Sequence, residues 1–168
     1  MANCYFAQIN PNTNEVTDTF VVGGDFSTGD GPLEDNPMHI DGENHCRKIK
    51  KIEDATIIFK QYSKTGAFRY NAAGIGSTWD PVNEAFINMH PVGDVHGNEF
   101  SSWTLDSNFK WQAPTPFPSI INYTDGNGQQ DEYLIRWEED IQKWSGWTRG
   151  ENYTISHWNG DTLAWEVQ

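Results

Sequence analysis

Large apolar side chains recur along this chain in pairs that flank a short polar stretch. In most pairs the two residues lie seven positions apart, as in Trp158-Asn-Gly-Asp-Thr-Leu-Ala-Trp165. Residues at this spacing face each other across a tight antiparallel hairpin, and Asx side chains stabilise the turn between them. The pattern therefore predicts a series of β-hairpins with apolar cross-strand pairs: Ile9 with Val16, Trp79 with Phe86, Trp103 with Trp111, Trp137 with Trp144, and Trp158 with Trp165.

Two stretches lack this pattern. Residues 23–46 are rich in Gly, Pro and acidic side chains, which cannot pack a core, so we expect an irregular acidic arm. A second irregular stretch contains Pro91 and Gly97 and marks a boundary. We expect an N-terminal hairpin region over 1–91 and a C-terminal Trp-rich hairpin region over 100–168, with one continuous domain as the alternative.

The composition favours the same fold class. Aromatic residues make up 14% of the chain, and 15 Gly and 8 Pro recur at short intervals, while Ala and Leu are scarce. This mixture is typical of strands and turns rather than helices. We predict an all-β protein of consecutive antiparallel β-hairpins with aromatic cross-strand pairs and little helix.

Charge and segment composition exclude several classes of partner. The formal net charge of -13 argues against nucleic acid, because phosphate binding depends on Lys and Arg. No apolar stretch approaches membrane-spanning length and no export signal is apparent, so we expect no membrane partner. The two cysteines, Cys4 and Cys46, are then expected to be reduced thiols.

Candidate catalytic and metal-binding groups lack the spacing that their chemistry requires. The five His and two Cys form no zinc motif. The loop Asp125–Glu132 offers oxygen ligands but departs from a calcium loop at Gln129 and Gln130, so we favour a hairpin turn, with calcium as the alternative. Glu138-Glu139-Asp140 could suggest glycoside hydrolysis, yet solvated acids are ordinary at a hairpin tip. We predict no enzyme activity, no metal site and no cofactor.

Several aromatic residues are candidates for binding rather than chemistry. Trp147 stands outside the paired units, and we predict that Trp147, Tyr153, Trp158 and Trp165 contribute to an interface or a stacking surface. Exposed Trp side chains can stack on sugars, although packing in a core or interface is the commoner role of Trp. Both interpretations stay open at this point.

Several blocks of the chain carry a family resemblance. The most specific is Arg69-Tyr-Asn-Ala-Ala-Gly-Ile-Gly-Ser-Thr-Trp-Asp80, which is similar to an Asn-Tyr-Ala-Gly-Ile-Gly-Tyr-Thr-Tyr-Asp block in small uncharacterised proteins of marine tailed bacteriophages, above all cyanophages. Ala73 stands where that family more often has Tyr. The other matching blocks are Phe6–Asn10 with Val21-Val22, Glu84–Ile87, Ser102–Asp106, Trp111–Pro114, Phe117-Pro118 and the closing Trp-rich hairpins. Residues 23–53 and 93–99 look like insertions.

The resemblance implies a phage origin and a role in the virion, which is assembled in the host cytoplasm. It carries no catalytic motif. We predict an accessory structural protein that decorates the capsid through non-covalent protein contacts, with a tail or fibre component that binds a host receptor or glycan as the alternative. The expected partners are other virion proteins, either the major capsid protein or tail proteins, and further copies of this chain in a homo-oligomer or lattice.

Overall fold

β-Strands dominate the computed structural model, which describes residues 3–28, 31–32, 40–93, 97–149 and 153–168. Over these residues the chain forms fifteen strands, all paired antiparallel, and one helix of 10 residues. The elements are β1 (Asn3–Ile9), β2 (Val16–Gly23), β3 (Ser27–Thr28), β4 (Gly31–Pro32), α1 (Ile40–Ile49), β5 (Ile58–Tyr62), β6 (Thr78–Asp80), β7 (Ala85–Ile87), β8 (Thr104–Leu105), β9 (Trp111–Gln112), β10 (Asn122–Thr124), β11 (Gln130–Glu132), β12 (Leu134–Glu138), β13 (Lys143–Trp147), β14 (Ile155–Asn159) and β15 (Ala164–Val167). The predicted all-β class with little helix is confirmed.

The chain divides into two compact units. The N-terminal unit comprises residues 1–89 and 106–110, and the C-terminal unit comprises residues 90–105 and 111–168. Strands β8 and β9 thus belong to the C-terminal unit, while the turn that joins them belongs to the N-terminal unit. Each unit has its own buried hydrophobic cluster or clusters.

Strand β1 is the centre of the N-terminal unit, in a three-stranded sheet with the order β2-β1-β5. Successive side chains of a strand point to opposite faces, so β1 contributes to two hydrophobic clusters. One cluster comprises Cys4, Phe6, Val22, Cys46 and Phe59, and the other comprises Ala7, Ile9, Val16, Tyr62, Ala73, Trp79 and Phe86. Burial on both faces explains why the sequence of β1 is apolar at most positions and does not alternate with polar residues.

Helix α1 corrects the predicted acidic arm. The arm was expected over 23–46, but the helix begins at Ile40. Gly42 lies inside the helix and lowers its intrinsic propensity, so the local sequence does not indicate a helix. Packing stabilises it instead, because Cys46 is fully buried in the cluster around Phe6. Residues 29–30 and 33–39 of the arm lie outside the described residues.

Four of the five predicted cross-strand pairs are confirmed by the strand register. They are Ile9 with Val16, Trp79 with Phe86, Trp137 with Trp144, and Trp158 with Trp165. The fifth is wrong, because Trp111 pairs with Leu105 and Trp103 lies before β8. Trp103 and Trp111 are eight positions apart rather than seven, and the turn at Asp106 closes on Lys110 over three residues.

In three of the hairpins, the residue just before the second strand has backbone angles in the left-handed region. Its φ is 53° at Leu163 and 49° at both Glu84 and Gln142. An Asx side chain stabilises the start of several of these turns, as where Asn159 Oδ1 accepts the backbone N–H groups of Asp161 and Thr162 at 2.9 and 3.1 Å. The turn geometry therefore tolerates a left-handed residue without Gly, at a cost in backbone strain.

Replacing Leu163 by Gly should stabilise the protein. The Leu163 side chain is 60% exposed and has little packing to lose, while Gly adopts a φ of 53° without steric cost. We expect the free energy of unfolding to rise by about 0.5–1 kcal/mol, measured by urea denaturation. The control is Leu163→Ala, which keeps the Cβ atom and should give no gain. An equal gain in both variants would show that relief of backbone strain is not the cause.

A row of four Trp side chains crosses the main sheet of the C-terminal unit. The sheet has the order β12-β13-β14-β15, and its register places Trp137, Trp144, Trp158 and Trp165 side by side on one face, which we call the Trp face. Phe100, Trp103 and Ala113 pack against this row.

Indole hydrogen bonds fix the chain that covers the Trp face. Trp144 Nε1 donates to the carbonyl of Thr115 at 2.9 Å, and Trp165 Nε1 donates to the carbonyl of Ile120 at 2.7 Å. The ring of Trp165 lies over Gly146, where a Cβ atom would come within 2.9 Å of it. The sequence between 113 and 121 therefore serves as a lid on this core rather than as a strand.

Candidate functional site

The face of the β12–β15 sheet opposite the Trp face carries charged and polar side chains beside an aromatic one. Because strand residues alternate, this surface, which we call the outer face, is formed by the intervening positions. Its residues are Leu134, Arg136, Glu138, Lys143, Ser145, Trp147, Ile155, His157, Asn159, Ala164 and Glu166. Arg136, Lys143 and Glu166 are exposed, and Leu134 is 45% exposed.

Strand register brings an apolar row and a polar row together on the outer face. Leu134, Trp147 and Ile155 stand opposite one another across three strands. The adjacent row consists of Arg136, Ser145, His157 and Glu166 across four strands. The guanidinium of Arg136 lies 5.8 Å from the centre of the Trp147 ring, within the range of a cation–π interaction. The outer face therefore places an aromatic surface directly beside a cation.

Ser145 occupies the middle of the polar row and is unusual in two ways. Its side chain is fully buried, and its hydroxyl has no hydrogen-bond partner. Buried hydroxyls are normally paired, because an unmade hydrogen bond costs about 1–3 kcal/mol. The register places this hydroxyl between Arg136 and His157. The outer face thus contains an unused donor and acceptor at its centre.

The few cations of the C-terminal unit are concentrated on the outer face. The unit contains eleven Asp and Glu but only three Lys and Arg: Arg136, Lys143 and Arg149. Two of the three lie on the outer face, and none of them forms an ion pair with a described residue. Glu166, on the same face, accepts a hydrogen bond from Asn159 Nδ2 at 2.6 Å.

The predicted interface and stacking residues fall in different environments. Trp147 is half-buried on the outer face, and Tyr153 is 62% exposed just before β14. Trp165 is half-buried on the Trp face. Trp158 is only 2% exposed in the core of that face, so it has no surface to offer, and its assignment as a surface residue needs correction. Its pairing with Trp165, 5.3 Å between ring centres, accounts for its burial.

The sequence did not single out Arg136, Ser145 or His157. These residues belong to three strands, and only their mutual register places them in one row. The available signal was strand alternation: positions two residues before Trp147 and two after Ile155 must share the face of those residues. Once the hairpins are predicted, that rule predicts which residues share the outer face.

The acidic hairpin tip has a structural role. Glu139 accepts hydrogen bonds from Trp137 Nε1 at 2.8 Å, from Ser101 Oγ at 2.9 Å, and from the backbone and hydroxyl of Ser102 at 2.7 and 2.8 Å. Partial removal from water raises the pKa of Glu139, but these hydrogen bonds more than offset it and hold the pKa below its usual value. The carboxylate therefore fixes the turn at 101–102 to the tip of the β12–β13 hairpin.

The loop considered for calcium forms a hairpin turn between β10 and β11. Asp125 Oδ1 accepts the backbone N–H groups of Asn127 at 2.9 Å and Gln129 at 2.8 Å, and these hydrogen bonds lower its pKa. Among the described residues, no group of three or more His, Cys, Asp and Glu could hold a metal ion. His39 and His96 lie outside that part of the chain.

Both cysteines are buried thiols that form no disulfide. Burial raises the pKa of the Cys46 thiol to about 12, with the nearby Glu43 carboxylate acting in the same direction. A thiol with so high a pKa carries almost no thiolate at neutral pH, so Cys46 is suited to packing rather than nucleophilic chemistry.

Comparison with protein-family models, with curated proteins and with solved structures gave no match. In the part of the chain that the structure describes, no helix has the length and apolar character needed to cross a membrane.

Proposed function

We propose that this chain is an accessory structural protein of a bacteriophage particle, attached to larger subunits by non-covalent contacts. Decoration of the capsid is the preferred role, with the major capsid protein as partner and repeated copies of the chain on its lattice. The resemblance of residues 69–80 to proteins of marine tailed phages supports the phage origin. Glu139 of the acidic hairpin tip accepts hydrogen bonds from Trp137 and Ser102, which is a structural use of that carboxylate.

One exposed apolar pair carries this proposal. Ile75 is 62% exposed and Met89 is 65% exposed, and the Met89 sulfur lies over Gly76, where a Cβ atom would approach it to 2.7 Å. Ile75 and Gly76 belong to the block that resembles the phage proteins. Neighbouring exposed apolar side chains mark interaction surfaces, and Met adapts easily to a partner. We assign this pair to the contact with the particle.

Incorporation into particles tests the proposal. Mass spectrometry of purified virions should detect the chain, and Ile75→Asp should lower its occupancy about tenfold or more, because a buried carboxylate would oppose the contact. The control is Val167→Asp, which makes the same kind of change at a side chain that is 71% exposed in the C-terminal unit. Virions that lack the wild-type chain would refute the proposal. Full occupancy by Ile75→Asp would refute the assigned contact.

A tail or fibre component that binds a host receptor or glycan is the second candidate. The pairing of Arg136 with Trp147 on the outer face favours it, since sugar-binding surfaces combine an aromatic platform with polar side chains. Localisation of the chain in a particle map distinguishes the two candidates. Density on the capsid lattice supports decoration, and density at the tail tip supports the receptor role.

A further inference from the structure

The outer face combines three features that point to one class of ligand. The first is charge: Arg136 lies on this face without an ion-pair partner among the described residues, while the other cation of the face, Lys143, stands opposite Glu138 in the strand register. The carboxylates on the face are Glu138 and Glu166, and Glu166 is engaged by Asn159. An unpaired guanidinium is a preferred partner of a carboxylate, which it can bind through two parallel hydrogen bonds.

The second feature is the apolar row beside that cation. Trp147 is flanked in register by Leu134 and Ile155, and its ring lies within 5.8 Å of the Arg136 guanidinium. An aromatic ring offers a flat apolar surface with a partial negative charge, which attracts the weakly positive C–H groups of a sugar ring. A ligand with one apolar side and one anionic group would contact both residues at once.

The third feature is the buried hydroxyl of Ser145, which has no hydrogen-bond partner. It lies between Arg136 and His157 in the polar row. A hydroxyl can donate and accept, as can the ring nitrogens of a neutral His, and a polyhydroxylated ligand supplies complementary groups of both kinds. Ser145 is fully buried, so a ligand reaches its hydroxyl only when a neighbouring side chain of the outer face moves aside.

We infer that the outer face binds an acidic saccharide, one built of uronic acid units. The C–H side of a sugar ring lies on Trp147, its carboxylate binds Arg136, and its hydroxyls reach His157 and Ser145. A second copy of this chain fits the surface less well, because a protein surface offers no array of hydroxyls to Ser145 and His157. An acidic peptide would satisfy Arg136 but offers no array of hydroxyls for the polar row. This inference rests on the second candidate function, glycan binding by the outer face, for which it names the class of sugar, and it does not depend on the decoration role.

Calorimetric titration of the purified full-length chain tests the inference. Tetragalacturonate should bind, and the same oligosaccharide with its carboxyl groups reduced to alcohols should bind at least about tenfold more weakly, as expected when a hydrogen bond between charged groups is lost. Arg136→Gln should weaken tetragalacturonate binding by about tenfold and remove the preference for the acidic sugar. Ser145→Ala should weaken both sugars alike. Near-UV circular dichroism confirms that each variant is folded.

Arg149→Gln is the matched control. It removes the same charge from the same unit, but Arg149 lies beyond the end of β13 and is not among the residues that form the outer face, so binding should stay within about twofold of wild type. Equal losses in Arg149→Gln and Arg136→Gln would overturn the site and indicate only general attraction. So would equal binding of the reduced sugar, equal binding of a polyglutamate peptide of matched charge, or no binding of tetragalacturonate. A dimer in analytical ultracentrifugation that Arg136→Gln dissociates would assign the face to a second copy instead.

Discussion

Replacing Arg69 by Met should destabilise the N-terminal unit by about 3 kcal/mol, because it breaks a buried ion pair from one side. Arg69 is only 6% exposed. Its Nη1 donates to the carbonyl of Gln61 at 2.6 Å and lies 3.4 Å from Glu43, while its guanidinium lies 5.2 Å from the centre of the Trp79 ring. Without Arg69, the Gln61 carbonyl on strand β5 loses this donor, and among the described residues Lys60 at 3.2 Å is the ion-pair partner left to Glu43.

The backbone conformation at Arg69 makes the expected loss of stability in Arg69→Met larger than the side-chain contacts alone would give. Arg69 and Tyr70 both have positive φ, 57° and 66°, and neither is Gly. Two consecutive left-handed residues persist only where the surroundings hold them. The Arg69 side chain is one anchor, and the other is Asn71, whose Nδ2 donates to the carbonyls of Phe86 at 2.8 Å and Phe109 at 2.9 Å. Removing the first anchor lets the strained segment relax.

Urea denaturation of single and double variants measures the coupling. Glu43→Gln should also destabilise, by about 1–3 kcal/mol, because it leaves the Arg69 charge buried without its carboxylate. In the double variant the two losses should not add, since the residues share one interaction. Lys64→Met is the control, because it removes an exposed cation that lies over Tyr5, 4.8 Å from the ring centre. A loss in Arg69→Met no larger than in Lys64→Met would contradict the prediction.

The hairpins were predictable because their signals are local. A spacing of seven with an Asx-rich turn fixes the register within one short segment, and four of the five pairs follow it. Trp103 does not follow the rule, because it lies eight residues before Trp111. The turn of that hairpin has three residues between Asp106 and Lys110, and Trp111 pairs with Leu105 instead. Helix α1 escaped prediction for the opposite reason: its stability comes from the contact of Cys46 with residues far away in sequence.

The candidate site shows the same division between local and non-local information. Trp147 was identified from sequence because it stands outside the paired units. Arg136 and His157 were not, because a charged residue in a strand is ordinary until its cross-strand neighbours are known. Ser145 could not be recognised at all, since burial and a missing hydrogen-bond partner are properties of the folded chain. Sequence patterns therefore located the sheet and its aromatic content, and the fold located the site.

Substituting Trp158 by Ala should have the largest effect in the C-terminal unit, a loss of about 3–5 kcal/mol in the free energy of unfolding. The side chain is 2% exposed and belongs to the buried cluster with Trp137 and Trp144, and it pairs with Trp165. Its removal leaves a cavity in the middle of the Trp row that neighbouring strands cannot close without breaking the sheet. The covering segment, which hydrogen bonds to Trp144 and Trp165, should lose its support as well.

Trp147→Ala provides the matched comparison, because it removes the same side chain from the opposite face of the same sheet. Trp147 is half-buried and contacts Arg136 across the outer face, so its loss should cost only about 1 kcal/mol while removing the saccharide platform. Urea denaturation followed by near-UV circular dichroism measures both variants. A loss in Trp147→Ala equal to that in Trp158→Ala would mean that the outer face is part of the folding core. The predicted difference instead distinguishes the two roles of Trp in this sheet: full burial on one face stabilises the unit, and partial exposure on the other leaves part of a ring available for contact.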